Sequence, residues 1–353
     1  MKNNRIYQIS ACSLLMAMTL IHTSCVDNFL PEAKEAFDRD VNFTATLFDP
    51  VMGHTTVYSE IFNSANSTLP LTFEITDMKH VDGTPAPELM EYYPVKVWKT
   101  PYLGSETSID EINSKRTTEY RRLFDVRKHT GEFIMWAEAN SSILRCQPDS
   151  GYIFNIIVSN SGGTKTTKRM RLMPKRERDF EPTIYDSETG LAIAEYVSPD
   201  DVTMSYITTE SYHSFYIDEK DIHIYFRENK ENTDPNTSLT ISFHDKDWKS
   251  IDPRRFNETN WKALFQAGFL KEINSKYVKY DMAYPLPLFK EPTSYTDTNG
   301  EKAHVRFAAS YFNRYGYRRS AYIDFDFAIY KESHWEMLIH FAEGTPQLGE
   351  IKN

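Results

Sequence analysis

The sequence predicts a mostly β protein, an N-terminal immunoglobulin-like β-sandwich followed by a second β-rich domain of sandwich or jelly-roll type carrying one short helix. Three observations lead there. Apolar stretches are short, alternate with polar residues, and are bounded by Pro, Gly, Asn or Asp. Aromatic residues are abundant, with 22 Phe, 22 Tyr and 5 Trp to fill a core. Between Pro174 and Pro182 charge is mixed and apolar periodicity stops, which divides a first domain (41–174) from a second (183–353).

In the first domain, Phe43–Phe48 reads as a strand ending at Asp49-Pro50. Thr55–Tyr58, Leu71–Ile75, Val95–Trp98, Glu132–Ala137 and Tyr152–Val158 follow. Ser161-Gly162-Gly163 reads as a hairpin turn into Thr166–Leu172, where Met170 and Leu172 alternate with Arg169 and Arg171. About seven such strands over about 130 residues is the spacing of an immunoglobulin-like sandwich. Ser108 and Glu111 form a capping-box pattern ahead of Ile109 and Ile112, which predicts a short helix.

The second domain restarts near Ile184. Leu191–Val197, Ser214–Ile217, Ile222–Phe226 and Thr237–Phe243 read as strands, as do Ala303–Phe312, Ala321–Tyr330 and Glu336–Phe341. Asn260 is placed to cap a helix with Trp261, Leu264 and Phe265 on one face and Gly268 as its left-handed terminator. Asn299-Gly300 carries the signature of a type I′ hairpin.

The first residues describe export. Lys2 and Arg5 make a positive n-region, Ile9 to Ile21 an apolar stretch too short to span a bilayer, and Thr23-Ser24 precede Cys25. The pattern resembles a bacterial lipoprotein signal (residues 1–24), in which Cys25 is lipidated and tethers a soluble body to a membrane. Residues 25–40 then form an acidic tether. Asp27, Glu32, Glu35, Asp38 and Asp40 resemble the tag that sends such lipoproteins to the outer face of the outer membrane. The signal holds two of the 40 basic residues and none of the 50 acids, so the mature chain carries a net charge of −12. Bulk charge of that sign disfavours nucleic acid as a partner. Of three cysteines only Cys146 remains as a thiol, which excludes an internal disulfide and a cysteine-ligated structural zinc.

Catalytic signatures are absent: no Gly-x-Ser-x-Gly elbow, no phosphate-cradling loop and no His-Glu-x-x-His. No cofactor and no metal site is expected. Carboxylate pairs such as Asp324 with Asp326, Asp245 with Asp247, and Asp218 with Glu219 leave a hydrolase open. Asp297, Asn299 and Glu301 read as a turn rather than a calcium loop. Three patches stand out. Lys165, Lys168, Arg169, Arg171, Lys175, Arg176 and Arg178 read either as a charged edge strand running into a linker or as a docking site for an acidic sugar, lipid headgroup or protein. Tyr315-Gly316-Tyr317, flanked by Arg314, Arg318 and Arg319, reads as an aromatic hairpin tip suited to stacking. Trp98, Trp136, Trp261 and Trp335 fall in apolar-periodic segments, whereas Trp248 lies in the polar run His244-Asp-Lys-Asp-Trp248 and is the tryptophan expected at the surface.

Cys25-Val-Asp-Asn-Phe-Leu-Pro31, Gly53-His-Thr-Thr-Val-Tyr58 and Leu69-Pro-Leu-Thr-Phe-Glu-Ile75 resemble an uncharacterised family of Bacteroidota surface lipoproteins. That family is similar to the accessory lipoproteins encoded beside starch-utilisation-type (SusC/SusD-like) importers. The resemblance implies a lipid-anchored, non-catalytic module on the outer membrane. Its N-terminal domain is a spacer, and its C-terminal domain displays a ligand site, for glycan. The importer pair is then the implied partner. A fimbrial or adhesive subunit and a hydrolase are the other readings.

Overall fold

The computed structural model describes residues 34–204, 217–312, 315–343, 346–349 and 351. The chain is mostly β, as its short alternating runs predict, in two sandwich-like halves. In the first, a four-stranded sheet runs in the order Leu47–Phe48, Gly163–Leu172, Tyr152–Asn160, Thr72–His80. A three-stranded sheet (Thr56–Tyr58, Phe133–Met135, Phe124–Val126) packs against it. Tyr152, Phe154, Ile156 and Val158 alternate inward along the central strand and meet Phe48, Phe124 and Phe133 in one buried cluster. Phe48 and Phe133 lie 4.5 Å apart between ring centroids, and each such fully buried ring is worth about 1.5–3 kcal/mol over an exposed one.

Beside this sandwich, Tyr93–Trp98 pairs with Arg116–Arg121, and the connection carries the one α-helix among the described residues, Ile109–Ser114. Ser108 caps it as its pattern predicts, its hydroxyl accepting the Glu111 N–H at 3.2 Å. The return bond goes one residue further out, from the Thr107 N–H to Glu111 Oε2 at 2.8 Å.

The second half has a six-stranded sheet in the order Ile222–Glu228, His334–Phe341, Ser238–His244, Val278–Met282, Gly268–Ile273, with Ser250–Ile251 also joined to Ser238–His244. Against its inner face lies a sheet built on the hairpin Ala303–Phe312 and Arg318–Ile329, to which Phe180–Glu181 and Asp201–Thr203 add. Strict alternation sends Ile222, Ile224, Leu239, Ile241, Trp335, Met337 and Ile339 into the core and leaves the intervening residues on the outer face.

Several expectations change. The short helix expected in the second half is a single 3-10 turn, Trp261–Ala263. The left-handed residue is Ala267 (φ 58°), and Gly268 opens a strand instead. The Phe265 ring lies under Gly268, where a Cβ would come within 2.0 Å of Cε2, and packs on Tyr280 at 4.8 Å. A helix through Gly268 would give up that burial and the ladder to Val278–Met282. Phe43–Phe48 is two two-residue strands, and 191–197 forms only isolated bridges. Residues 214–216 of another expected strand lie outside the described residues. At Asn299-Gly300 only Gly300 is left-handed (φ 72°). Its N–H reaches the Asp297 carbonyl at 3.1 Å, so the turn is of the type I kind with Gly last.

The two large clusters divide between Leu172 and Phe180. The intervening segment has the composition of a linker yet is held along its length. Gln147 N donates to the Pro174 carbonyl, Lys175 bridges to Val51, and Glu177 accepts from Ser141. A third, smaller cluster joins the halves: Ile112 packs with Ala267, Ala283 and Leu288, flanked by Trp98, Tyr102, Phe269 and Phe289. Arg116 lies over the Trp98 ring and donates to the Tyr284 carbonyl at 2.7 Å, and His54 stacks on Tyr330 at 4.3 Å.

Residues 35–41 are fastened to the body. Glu35 Oε2 accepts the Ser161 hydroxyl at 3.0 Å, the Ala36 N–H donates to Thr68 Oγ1 at 3.1 Å, and Lys165 Nζ donates to the Arg39 and Val41 carbonyls. Gly162 is required there, since a Cβ would lie 1.8 Å from the Glu35 carbonyl oxygen.

Candidate functional site

The outer face of the six-stranded sheet carries an aromatic platform whose order follows from strand register. His223 stands opposite His340, and His340 opposite His244, so three imidazoles form one row across three strands. In the next row outward Tyr225 faces Leu338 and Leu338 faces Ser242; beyond it Arg227 faces Glu336. Tyr196 stacks on His223 with centroids 3.5 Å apart, and Trp248 stacks on His340 at 4.2 Å with planes 5° apart. Tyr225 lies 5.5 Å from the Trp248 ring. Between them opens a groove of about 540 Å³ lined by Tyr225, Phe226, Arg227, Trp248 and Leu338.

Trp248 reaches this position at a backbone cost. It ends the 245–248 turn, where its N–H donates to the Asp245 carbonyl at 2.9 Å, with φ at 60°. A left-handed backbone costs a side-chain-bearing residue roughly 1–2 kcal/mol, and strain of this kind concentrates at functional sites. Even so placed, Trp248 is 48% exposed, so the strain presents a flat ring to solvent rather than burying one.

Of the three imidazoles in the row, His340 is the buried one. Burial holds His340 below the usual histidine range, and His223 and His244 push it the same way against an opposing pull from the backbone of Lys246 and Asp245. Neither His340 ring nitrogen makes a hydrogen bond of ordinary geometry. Polar groups rim the groove instead: Arg227 Nε donates to Glu336 Oε2 at 2.7 Å, and Asn229 donates to Glu336 Oε1 at 2.8 Å. Flat rings with fixed donors and acceptors at their edge suit a ligand with one apolar face and a hydroxylated rim.

Of the expected site residues, Trp248 is the one on this platform, exposed as its polar surroundings predict. Trp98, Trp136, Trp261 and Trp335 pack in or against the cores. Tyr315 and Tyr317 sit at the tip of the Ala303–Ile329 hairpin, each 65% exposed, and Arg318 next to them donates to Glu258 at 2.9 Å. Arg319 faces Tyr311 in the ladder. Arg314 and Cys25 lie outside the described residues. The ring and hydrogen-bond partners of Trp248 are Tyr225, His244 and His340, none of them on that hairpin. His223, Tyr225 and His340 were legible only as residues alternating with Ile222, Ile224 and Ile339. Nothing local shows that their strands are neighbours.

The carboxylate pairs are engaged in structural work. Asp324 takes Arg306 Nε at 2.6 Å, Asp326 takes His304 Nδ1 at 2.7 Å, and Asp218 closes a capping box with Asp221. Asp200, which accepts the Asp326 N–H at 2.6 Å, has its carboxyl raised by burial, opposed by that hydrogen bond and helped by the charge of Asp326. Asp297 Oδ1 accepts the Glu301 and Lys302 N–H groups, which is turn chemistry. Among the described residues no group of three or more His, Cys, Asp or Glu is placed to hold a metal ion, and no helix is long and apolar enough to cross a membrane.

A two-half β protein with an aromatic face on its second half is what fold and site define. The chain belongs to the family described as Domain of unknown function (DUF5007), which matches residues 62–350. No curated protein and no solved structure matches it.

Proposed function

We propose that this chain is a non-catalytic binding module, lipid-anchored through Cys25 at the outer face of an outer membrane, that captures glycan for an associated SusC/SusD-like uptake system. The observation that carries the reading is the Trp248 platform: a bulky ring held in a left-handed backbone, stacked on His340 and left open beside Tyr225. Pyranose rings present C–H faces to such surfaces and hydroxyls to edge groups such as Arg227 and Glu336. The signal-like start, the acidic tether and the resemblance to accessory lipoproteins support the location and the partner.

The test is Trp248→Gly, read on a glycan array and by melting temperature. Glycine adopts the left-handed backbone freely, and the roughly 1 kcal/mol recovered offsets part of what is lost in stacking on His340, roughly 0.5–1.5 kcal/mol, and in burial of the half-covered ring. Stability therefore falls by only about 1–2 kcal/mol and the variant stays folded. Binding falls by about tenfold or more, since stacking on an aromatic side chain is worth about 1–3 kcal/mol for nucleobases. A wild-type chain that retains no glycan, or a variant that retains it normally, overturns the assignment.

A further inference from the structure

The basic stretch of the first half divides into spent and unspent charge. Lys165 holds the Arg39 and Val41 carbonyls, Arg171 the Ser150 carbonyl, Lys175 Asp49, Arg176 Ser141 and Arg178 Glu181. Among the described residues, Lys168 and Arg169 have no acid within ion-pair distance.

These two lie where the sheet is doubly irregular. The central strand Tyr152–Asn160 is flanked by a β-bulge on each side at one level, between Phe154 and Ile156 toward Gly163–Leu172 and between Ile153 and Asn155 toward Thr72–His80. The bulged residues are Arg169 (φ 61°) and Asp77 (φ 55°), both left-handed without being glycine. Asn155 holds both, its Oδ1 accepting the Arg169 N–H at 3.0 Å and its Nδ2 donating to Asp77 Oδ2 at 3.3 Å. The result is a depression of about 390 Å³ with Ile153 in its lining and Lys79, Lys168, Arg169 and Asp77 around it. Asp77 pairs with Lys79 at 2.5 Å, leaving two positive charges on a chain whose mature net charge is −12.

We propose that this double-bulge depression is a second ligand site, specific for an anionic sugar residue bearing a carboxylate or sulfate. Arg169 and Lys168 bind the anionic group, the Arg169 fork matching its paired oxygens. Asn155 and the Asp77–Lys79 pair offer hydrogen-bonding groups to hydroxyls, and Ile153 lies under the ring. A volume near 390 Å³ is that of a small-ligand cleft. Bulges re-aim side chains next to sites, and here both re-aimed residues, held by Asn155, border one depression. The site is on the opposite half from the Trp248 platform and does not depend on it.

The experiment is isothermal titration of the full chain with an oligogalacturonate hexamer (carboxylate), a heparin hexasaccharide (sulfate) and neutral maltohexaose, at low and physiological salt. Binding of at least one anionic probe is expected, weakened tenfold or more by Lys168→Ala with Arg169→Gly. Glycine keeps the left-handed backbone, so the variant folds; Lys168→Glu alone, which leaves the bulge untouched, is expected to weaken binding by more than Lys168→Ala alone. Lys220→Ala with Lys262→Ala removes the same charge elsewhere and is expected to leave the affinity within about twofold. The proposal is overturned if neither anionic probe binds, if the distant pair costs as much as the bulge pair, or if neutral maltohexaose binds as tightly as the anionic probes.

Discussion

Replacing Ile112 with Ala probes how the two halves hold together. Ile112 is fully buried within a six-residue helix too short to persist without packing. Ile→Ala in a core costs about 2–5 kcal/mol, and the amount depends on how far the surroundings collapse into the gap. Here two of the buried neighbours, Ala267 and Ala283, are already the smallest that can line it, and both come from strands or turns fixed by ladder bonds. Little collapse is available, so the loss falls in the upper part of the range, about 3–4 kcal/mol, against a total stability of roughly 5–15 kcal/mol for an ordinary domain. The cluster joins the halves, so the loss appears as uncoupling. Calorimetry of the wild-type chain gives one transition; the variant gives a broadened or split one, with van't Hoff enthalpy below the calorimetric value. Leu239→Ala, in the heart of the second core, lowers the melting temperature while keeping one transition. Two well-separated transitions in the wild type, or a change under about 1 kcal/mol for Ile112→Ala, would refute the argument.

Two further outcomes follow from named contacts. Glu106 is buried and paired with Lys115, and despite the opposing cost of burial that pair and the Leu103 N–H hold its carboxyl at about 2 instead of 4.5. A carboxyl depressed on folding stabilises above its unfolded value and loses that contribution as pH falls through its folded one. Melting temperatures of wild type and Glu106→Gln are therefore furthest apart above pH 4.5 and converge toward pH 2; a gap independent of pH would count against it. Gly162→Ala forces the Glu35 carbonyl away, so the Ala36 and Asp38 amides, bonded to Thr68 and Ser67, should lose protection from hydrogen exchange while the cores keep theirs. Unchanged protection at both amides would show that residues 35–41 are held otherwise.

The strand-rich class, the helix at Ile109–Ser114 and the exposure of Trp248 were legible because each depends on residues within a few positions of one another. Ser108 needs only Glu111 to cap, and Trp248 needs only polar neighbours to stay outside. The platform depends on register. His223, His340 and His244 meet through two ladders linking residues about a hundred positions apart in sequence, one antiparallel and one parallel, and no local pattern encodes that adjacency. The 260–268 segment shows the converse. Its capping and periodicity are helical, but Phe265 gains more by lying under Gly268 against Tyr280. The basic stretch was legible as charge, whereas its division into engaged and unengaged members required the partners from residues 39 to 181 to be known.

The way residues 35–41 are fastened sets how the molecule responds to load. Force applied upstream of residue 34 enters the body at the Ser161-Gly162 hairpin, not at a free swivel. The bonds from Glu35 to Ser161, Ala36 to Thr68 and Lys165 to the carbonyls of Arg39 and Val41 are spread along the segment and grip three different elements. Traction is therefore shared among them, and the strand pair Asn42–Phe43 with Phe62–Asn63 lies behind them as the next barrier. A body mounted this way keeps a fixed bearing relative to residues 35–41, so the direction in which its outer faces point from that segment is decided by a two-residue turn.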